Sequence, residues 1–132
     1  MNGVTERDLG LTFELVLGCE DLIEFDTNSD GLTNGDKTKT INEGHQIIIN
    51  RIGVNNFDIG HSFYAGGGGL AAVGAVCSGG KARGTSGGYS GLGFHFVFAH
   101  EMGHMLGAAH TLIMLKDMEQ VEIWLKRRLV LQ

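Results

Sequence analysis

Strand-forming residues concentrate early in the chain, where residues 9–17 alternate imperfectly between apolar and polar positions. Residues 21–25 extend this pattern or form a second short strand. Because β-branched, aromatic and alternating apolar residues favour a half-buried pleated surface, we predict a sheet strand over residues 9–17.

A helical period replaces this alternation after residue 40. Ile47, Ile48 and Ile52 recur at helical spacing, and Thr40 is followed three residues later by Glu43, as in an N-terminal capping box. We therefore predict a helix over residues 41–52 that is capped by Thr40 and covers the sheet.

Residues 57–63 and 70–76 predict two further strands, and the Gly/Ser-rich residues 78–93 predict a loop. A second helix follows, and its apolar residues indicate that it is buried. These residues are Phe94, Phe96, Val97, Phe98, Met102, Met105 and Leu106. The order of elements predicts an α+β (α/β-like) fold with a helix-borne site.

The end of the chain, residues 112–132, predicts an amphipathic helix. Its apolar residues at helical spacing are Met114, Met118, Val121, Leu125 and Leu129. Met114 and Met118 would then lie on the core face of that helix.

Composition narrows the class of protein. A chain of 132 residues with 42% hydrophobic residues can enclose one core. The net charge of -5, with no basic run, argues against nucleic acid or an anionic membrane as a partner. No segment is apolar for long enough to span a bilayer, and the first eight residues lack the basic and apolar regions of a signal peptide.

The candidate metal ligands and the candidate catalytic residue all lie in the sequence HEMGHMLGAAH, which begins at His100. His100 and His104 stand at i and i+4, so both imidazoles leave one face of a helix and can share a metal ion. Gly107 allows the chain to leave the helix so that His110 becomes the third ligand. The pattern predicts a three-histidine zinc site, with Glu101 beside it as general base.

Three protein ligands distinguish a catalytic zinc site from a structural one, which four protein ligands close. The open position admits water, whose pKa zinc lowers toward about 7. Glu101 is placed to take the water proton and pass it to a leaving amine. The predicted reaction is peptide-bond hydrolysis.

The histidine motif resembles that of the metzincin metallopeptidases, and an upstream segment resembles the reprolysin (adamalysin)-like bacterial branch. That segment begins at Asp58 as DIGHSFYA, continues through four glycines, and ends at Cys77 in a GxAxxGxxC pattern. The resemblance covers residues 1–111. It implies a secreted, extracellular zinc endopeptidase acting on peptide or protein substrates, in which residues 70–76 form the edge strand of a twisted mixed sheet.

The sequence departs from the metzincin pattern after His110. Metzincins continue to a tight turn with a methionine beneath the zinc, and nothing identifies Met114 or Met118 as that residue. We therefore expect residues 1–111 to form the catalytic region, residues 112–132 to be an atypical tail, and the C-terminal subdomain to be incomplete, as in a truncated or frame-shifted member. The alternative function is a catalytically inactive zinc-binding fragment of such a peptidase.

Two weaker patterns leave alternatives open. Asp26, Asn28 and Asp30 match the start of a calcium loop, but Lys37 stands where a bidentate glutamate is required, so a turn is favoured over a Ca²⁺ site. The resemblance would pair Cys77 with a cysteine beyond the zinc helix, and none follows. Cys77 is then free or otherwise paired, with a bridge to Cys19 as the alternative.

Three further histidines, His45, His61 and His95, are not spaced to join the predicted metal site. Each is predicted to be a surface or packing residue. His95 lies five positions before His100, which turns it about 140° away from the shared face of the helix.

Overall fold

The structure is a computed structural model that describes residues 2–110 apart from residues 25, 27 and 89–91. The helix predicted over residues 112–132, with Met114 and Met118 on its core face, lies outside the described residues.

A small mixed sheet occupies the centre of the described chain. Its strands are β1 (Ser62–Tyr64), β2 (Gly68–Ala71) and β3 (Gly84–Gly87), in the order β1-β3-β2. β3 runs parallel to β1 and antiparallel to β2. β2 thus lies at one edge, where the family resemblance places residues 70–76.

Three α-helices accompany the sheet in the described part of the chain. They are α1 (Asn2–Leu9), α2 (Lys37–Ile52) and α3 (Leu92–Met105), and a short 3₁₀ turn spans Cys19–Leu22. Helices combined with a small mixed sheet confirm the predicted α+β class.

α2 and α3 pack on opposite faces of the sheet. Ser62 contacts α2, since a Cβ on Gly44 would lie 2.5 Å from the Ser62 hydroxyl oxygen. Ser62 pairs with Thr85 on β3, whereas Gly84, the residue before Thr85, faces the Met105 sulfur of α3. Because successive strand residues point to opposite faces, the sheet separates the two helices.

Each helix covers a hydrophobic cluster. The cluster around α2 contains Ile48, Ile52, Phe57 and Ala82. The cluster beneath α3 contains Ala75, Met102 and Met105. The burial predicted for α3 therefore holds for its inner residues, but Phe96 is 72% exposed and that part of the prediction is wrong.

The start of α2 differs from the prediction, whereas its end at Ile52 agrees. The N-cap is Asp36, whose Oδ1 accepts hydrogen bonds from two backbone N–H groups of the first turn at 3.0 and 3.2 Å. Thr40 lies inside the helix, and Glu43 instead accepts from the backbone and hydroxyl of Thr33. Asp36 rather than Thr40 is the N-cap because its carboxylate accepts hydrogen bonds from two N–H groups that have no partner within the helix. The helix therefore begins about one turn earlier than predicted.

The strand predicted over residues 9–17 is wrong. α1 ends at Leu9, and the following Gly10 has a φ of 65°. The Asn2 side chain bonds both backbone groups of Phe13, at 2.8 and 3.0 Å, and so occupies the groups that a strand ladder would use. The extension predicted over residues 21–25 is also wrong where the structure describes it: residues 21 and 22 belong to the Cys19–Leu22 turn, and residues 23 and 24 are not in a strand.

The other strands were only partly predicted. β1 and β2 are shorter than residues 57–63 and 70–76, and β3 lies inside the predicted loop over residues 78–93. All four residues of β3 are buried although none is strongly apolar. Small residues suit this central strand because helices pack closely on both of its faces. A run of small residues shows no alternation of apolar and polar positions, so the sequence did not indicate a strand here.

Candidate metal centre

Two imidazoles of the motif project from α3 one turn apart, as predicted. The Nε2 atoms of His100 and His104 lie 3.0 Å from each other, and their ring centroids are 4.5 Å apart. The spacing of i and i+4 places both side chains on one face of the helix.

The third imidazole reaches the pair because the chain turns sharply after α3. Gly107 has a φ of 105°, a conformation that L side chains rarely adopt, and its N–H donates to the His104 carbonyl at 2.8 Å. His110 Nε2 then lies 2.9 Å from His100 Nε2 and 3.0 Å from His104 Nε2. The prediction that Gly107 allows this change of direction is confirmed.

The segment after β2 anchors the same end of α3. Gly74 N–H donates to the His104 carbonyl at 2.9 Å, and Val76 N–H donates to the Met105 carbonyl at 3.1 Å. No N–H group inside α3 reaches these carbonyls, so the bonds from this segment, together with the Gly107 bond to His104, satisfy them and fix the last turn, which carries His104.

Hydrogen bonding sets the tautomer of His104. Its Nδ1 lies 2.6 Å from the Ala108 carbonyl oxygen, which can only accept, so Nδ1 carries the hydrogen. In the neutral imidazole, Nε2 then presents its lone pair toward the other two histidines. A backbone acceptor behind the ligating nitrogen is the usual support for a metal-binding histidine.

The three nitrogens fit a cation better than they fit one another. Each Nε2 either carries a hydrogen or presents a lone pair, so at least two of the three are alike and cannot share a hydrogen bond. A cation that accepts all three lone pairs removes this conflict. Tetrahedral zinc with Zn–N distances of about 2.0–2.1 Å separates the nitrogens by roughly 3.3 Å, close to the observed 2.9–3.0 Å.

Among the described residues, His100, His104 and His110 form the one group of three potential ligands whose donor atoms lie within 4.8 Å of one another. They line an open cavity together with small residues, so the site has room for a ligand. The other lining residues are Ala99, Gly103, Ala108 and Ala109.

Glu101 lies between α3 and the edge strand and is only 6% exposed. A Cβ on Gly69 of β2 would approach its Cδ and Oε1 to 2.7 Å. The missing side chain at Gly69 therefore makes room for the carboxylate. The motif identified Glu101 as a candidate, but sequence reasoning missed Gly69, because no local pattern pairs a strand glycine with a helix residue.

The weaker candidates lie outside this centre. Asp26 Oδ1 accepts from the Asn28 N–H at 2.9 Å, and Asp30 Oδ1 accepts from the Leu32 N–H at 2.8 Å, which are contacts of Asx turns. This geometry supports the turn interpretation over the calcium loop.

The remaining candidate residues are also separate from the histidine group. Cys19 and Cys77 are free thiols, so no bridge joins them. His45 belongs to α2, and His95 is exposed on α3. His61, in contrast, lies beneath α3, and burial lowers its pKa to about 4.

This lowered pKa makes stability depend on pH. Unfolded His61 takes up its proton near pH 6.5, whereas the folded form resists protonation until about pH 4. The folded state therefore keeps its full stability, as far as His61 is concerned, above pH 6.5. This stability is lost as the pH falls from 6.5 through 4, because protonation then favours the unfolded chain. Relative to a non-titrating His61→Gln variant, we expect the free energy of unfolding of the parent to fall by about 3 kcal/mol between pH 6.5 and pH 4.

Urea unfolding of the metal-free protein and of His61→Gln, measured from pH 7.5 to pH 4, checks this expectation. A difference in unfolding free energy that stays constant over that range would contradict it.

Comparison with known protein families identifies the family to which the chain belongs. Its residues 1–111 match the model of metallopeptidase family M12B, reprolysin-like. Searches of curated proteins and of solved structures returned no match. Within the described residues, no helix has the length and apolar character needed to cross a membrane. The matched residues include the histidine motif, and the chain belongs to the reprolysin-like metallopeptidases of family M12B.

Proposed function

We propose that this protein is a zinc-dependent metalloendopeptidase whose ion is held by His100, His104 and His110. The observation that carries the proposal is the convergence of three Nε2 atoms at 2.9–3.0 Å on one side of the helix that also bears the buried Glu101. Three neutral nitrogen ligands are typical of catalytic zinc, because a coordination position stays open.

Zinc in such a site supplies Lewis acidity toward a water molecule and a carbonyl oxygen. Glu101 supplies the proton transfer: its carboxylate takes a proton from the attacking water and returns it to the leaving amine. Its contact with the Gly69 backbone limits the positions that the carboxylate can take. Burial also excludes most of the solvent that would compete for its oxygens.

The edge position of β2 gives the substrate a place to bind. The outer side of β2 faces no other described strand, so its backbone groups can pair with an extended peptide. Gly69 of β2 touches Glu101, so a peptide paired there passes close to the carboxylate. Main-chain pairing of this kind would align a peptide bond without requiring one particular side chain.

Family M12B members are typically extracellular, so we propose extracellular peptides or proteins as substrates, with residues 1–111 as the catalytic region. The net charge of -5 does not favour an anionic nucleic acid or membrane as a binding partner.

The test is cleavage of a diverse quenched-fluorescent peptide library by the full zinc-loaded chain. We expect turnover that a chelator abolishes and added zinc restores, because the three histidines hold the ion reversibly. Zinc retention at one ion per chain without any cleavage would contradict the peptidase and favour an inactive zinc-binding fragment.

A further inference from the structure

His61 occupies the space between the sheet and the metal-binding helix. It directly precedes β1, and its Nε2 lies 2.9 Å from the hydroxyl oxygen of Ser86 on β3. Ser86 is completely buried, so this hydrogen bond is shielded from water. The bond fixes the imidazole to the central strand and sets the direction in which the ring extends.

The ring of His61 contacts α3 near its first metal-site residue. Its centroid lies 5.0 Å from that of Phe98, with the two rings nearly perpendicular at 75°. Phe98 is two residues before His100 on the same helix. Edge contacts between aromatic rings prefer a narrow range of separations, so this contact constrains the height of α3 above β3.

A second contact lies near the other end of the site. A Cβ on Gly84 would lie 2.5 Å from His61 Nδ1 and would overlap the sulfur of Met105. The imidazole and Met105 therefore share the space that Gly84 leaves vacant. Met105 is fully buried and directly follows His104.

We infer that His61 is a positioning residue, whose imidazole sets the distance between β3 and α3 and thereby holds in place the turns of α3 that carry His100 and His104. The ring contacts Phe98 before the first of these residues and lies beside Met105 after the second. The inference rests on the proposed metal site, but it concerns packing beneath α3 rather than contact with substrate.

The same geometry explains why histidine suits this position. An apolar ring of similar size would keep the contact with Phe98 but would leave the buried Ser86 hydroxyl without this partner. A small residue would leave a cavity beneath α3, into which the helix could sink. Histidine combines the ring with the hydrogen bond.

Co²⁺ binding to the full chain tests the inference, because the visible spectrum of Co²⁺ reports the geometry of its ligands. We expect His61→Ala to weaken Co²⁺ binding by roughly 10–100-fold, the range for residues that orient metal ligands, and to alter the spectrum. His61→Phe should restore part of the affinity, since it keeps the ring. His45→Ala is the matched control, because α2 packs on the opposite face of the sheet, and it should bind Co²⁺ like the parent.

Parent affinity and spectrum in His61→Ala, or equal affinities in the Ala and Phe variants, would overturn the inference. If His61→Ala does not fold, the test rests on His61→Phe. The same Co²⁺ affinity and spectrum as the parent would then overturn the inference, and an altered spectrum in a folded His61→Phe protein would support it. Peptide cleavage is not needed for this comparison. Absence of cleavage by the parent would count against the proposed peptidase alone.

Discussion

Glu101→Gln is expected to reduce kcat for peptide cleavage by about 10²–10⁴-fold, the usual contribution of general acid–base catalysis. Glutamine has nearly the same shape as glutamate and fits against Gly69, but it cannot accept the proton of the attacking water. Zinc binding should persist, because the three imidazoles are unchanged. Steady-state kinetics with a library-selected peptide, together with zinc content, measure both effects.

Glu20→Gln is the matched control for this substitution, since Glu20 is an exposed carboxylate in the 3₁₀ turn. The control should retain parent kcat and zinc content. A Glu101→Gln protein that cleaves peptide at the parent rate would remove Glu101 from the mechanism, whereas a loss of zinc would show that the carboxylate supports the metal site instead.

His104→Ala is expected to have the largest effect on metal binding, on the order of 100-fold or more in affinity. The substitution removes one of three donors, and orienting residues alone change affinity by about 10–100-fold. It also removes the Nδ1 hydrogen bond to Ala108 at 2.6 Å, which helps to close the turn that carries His110. Chelator competition measures the affinity directly.

Zinc-dependent stabilisation gives a second measure of the same change. Free zinc at 1,000 times the dissociation constant stabilises the folded parent by about 4 kcal/mol, and the variant should show far less at the same concentration. His95→Ala is the control, because His95 is exposed on α3 and outside the group of three. Equal zinc affinity in His104→Ala and His95→Ala would contradict the proposed ligand set.

The sequence predicted the α+β class and the end of α2, because these depend on element order and local periodicity. It located the start of α2 wrongly, since Asp36 and Thr40 are both good capping residues and only the structure shows which one binds the first turn. It also missed β3, whose Gly, Thr and Ser residues carry no hydrophobic alternation and are buried only because two helices cover them.

The histidine group was predictable from sequence for a local reason. His100 and His104 share a face through helical spacing, and Gly107 permits the turn that brings His110 within 3.0 Å of both. Eleven consecutive residues therefore encode most of this geometry.

Tertiary structure alone decided what surrounds that group. Gly69 makes room for Glu101 from a distant strand, and the segment containing Gly74 satisfies the His104 carbonyl. His61, which the sequence grouped with ordinary surface or packing histidines, lies between β3 and α3. Such contacts join residues far apart in the chain, so their distances depend on how the strands and helices pack, whereas the order and spacing of the histidines along the backbone are set by the local sequence.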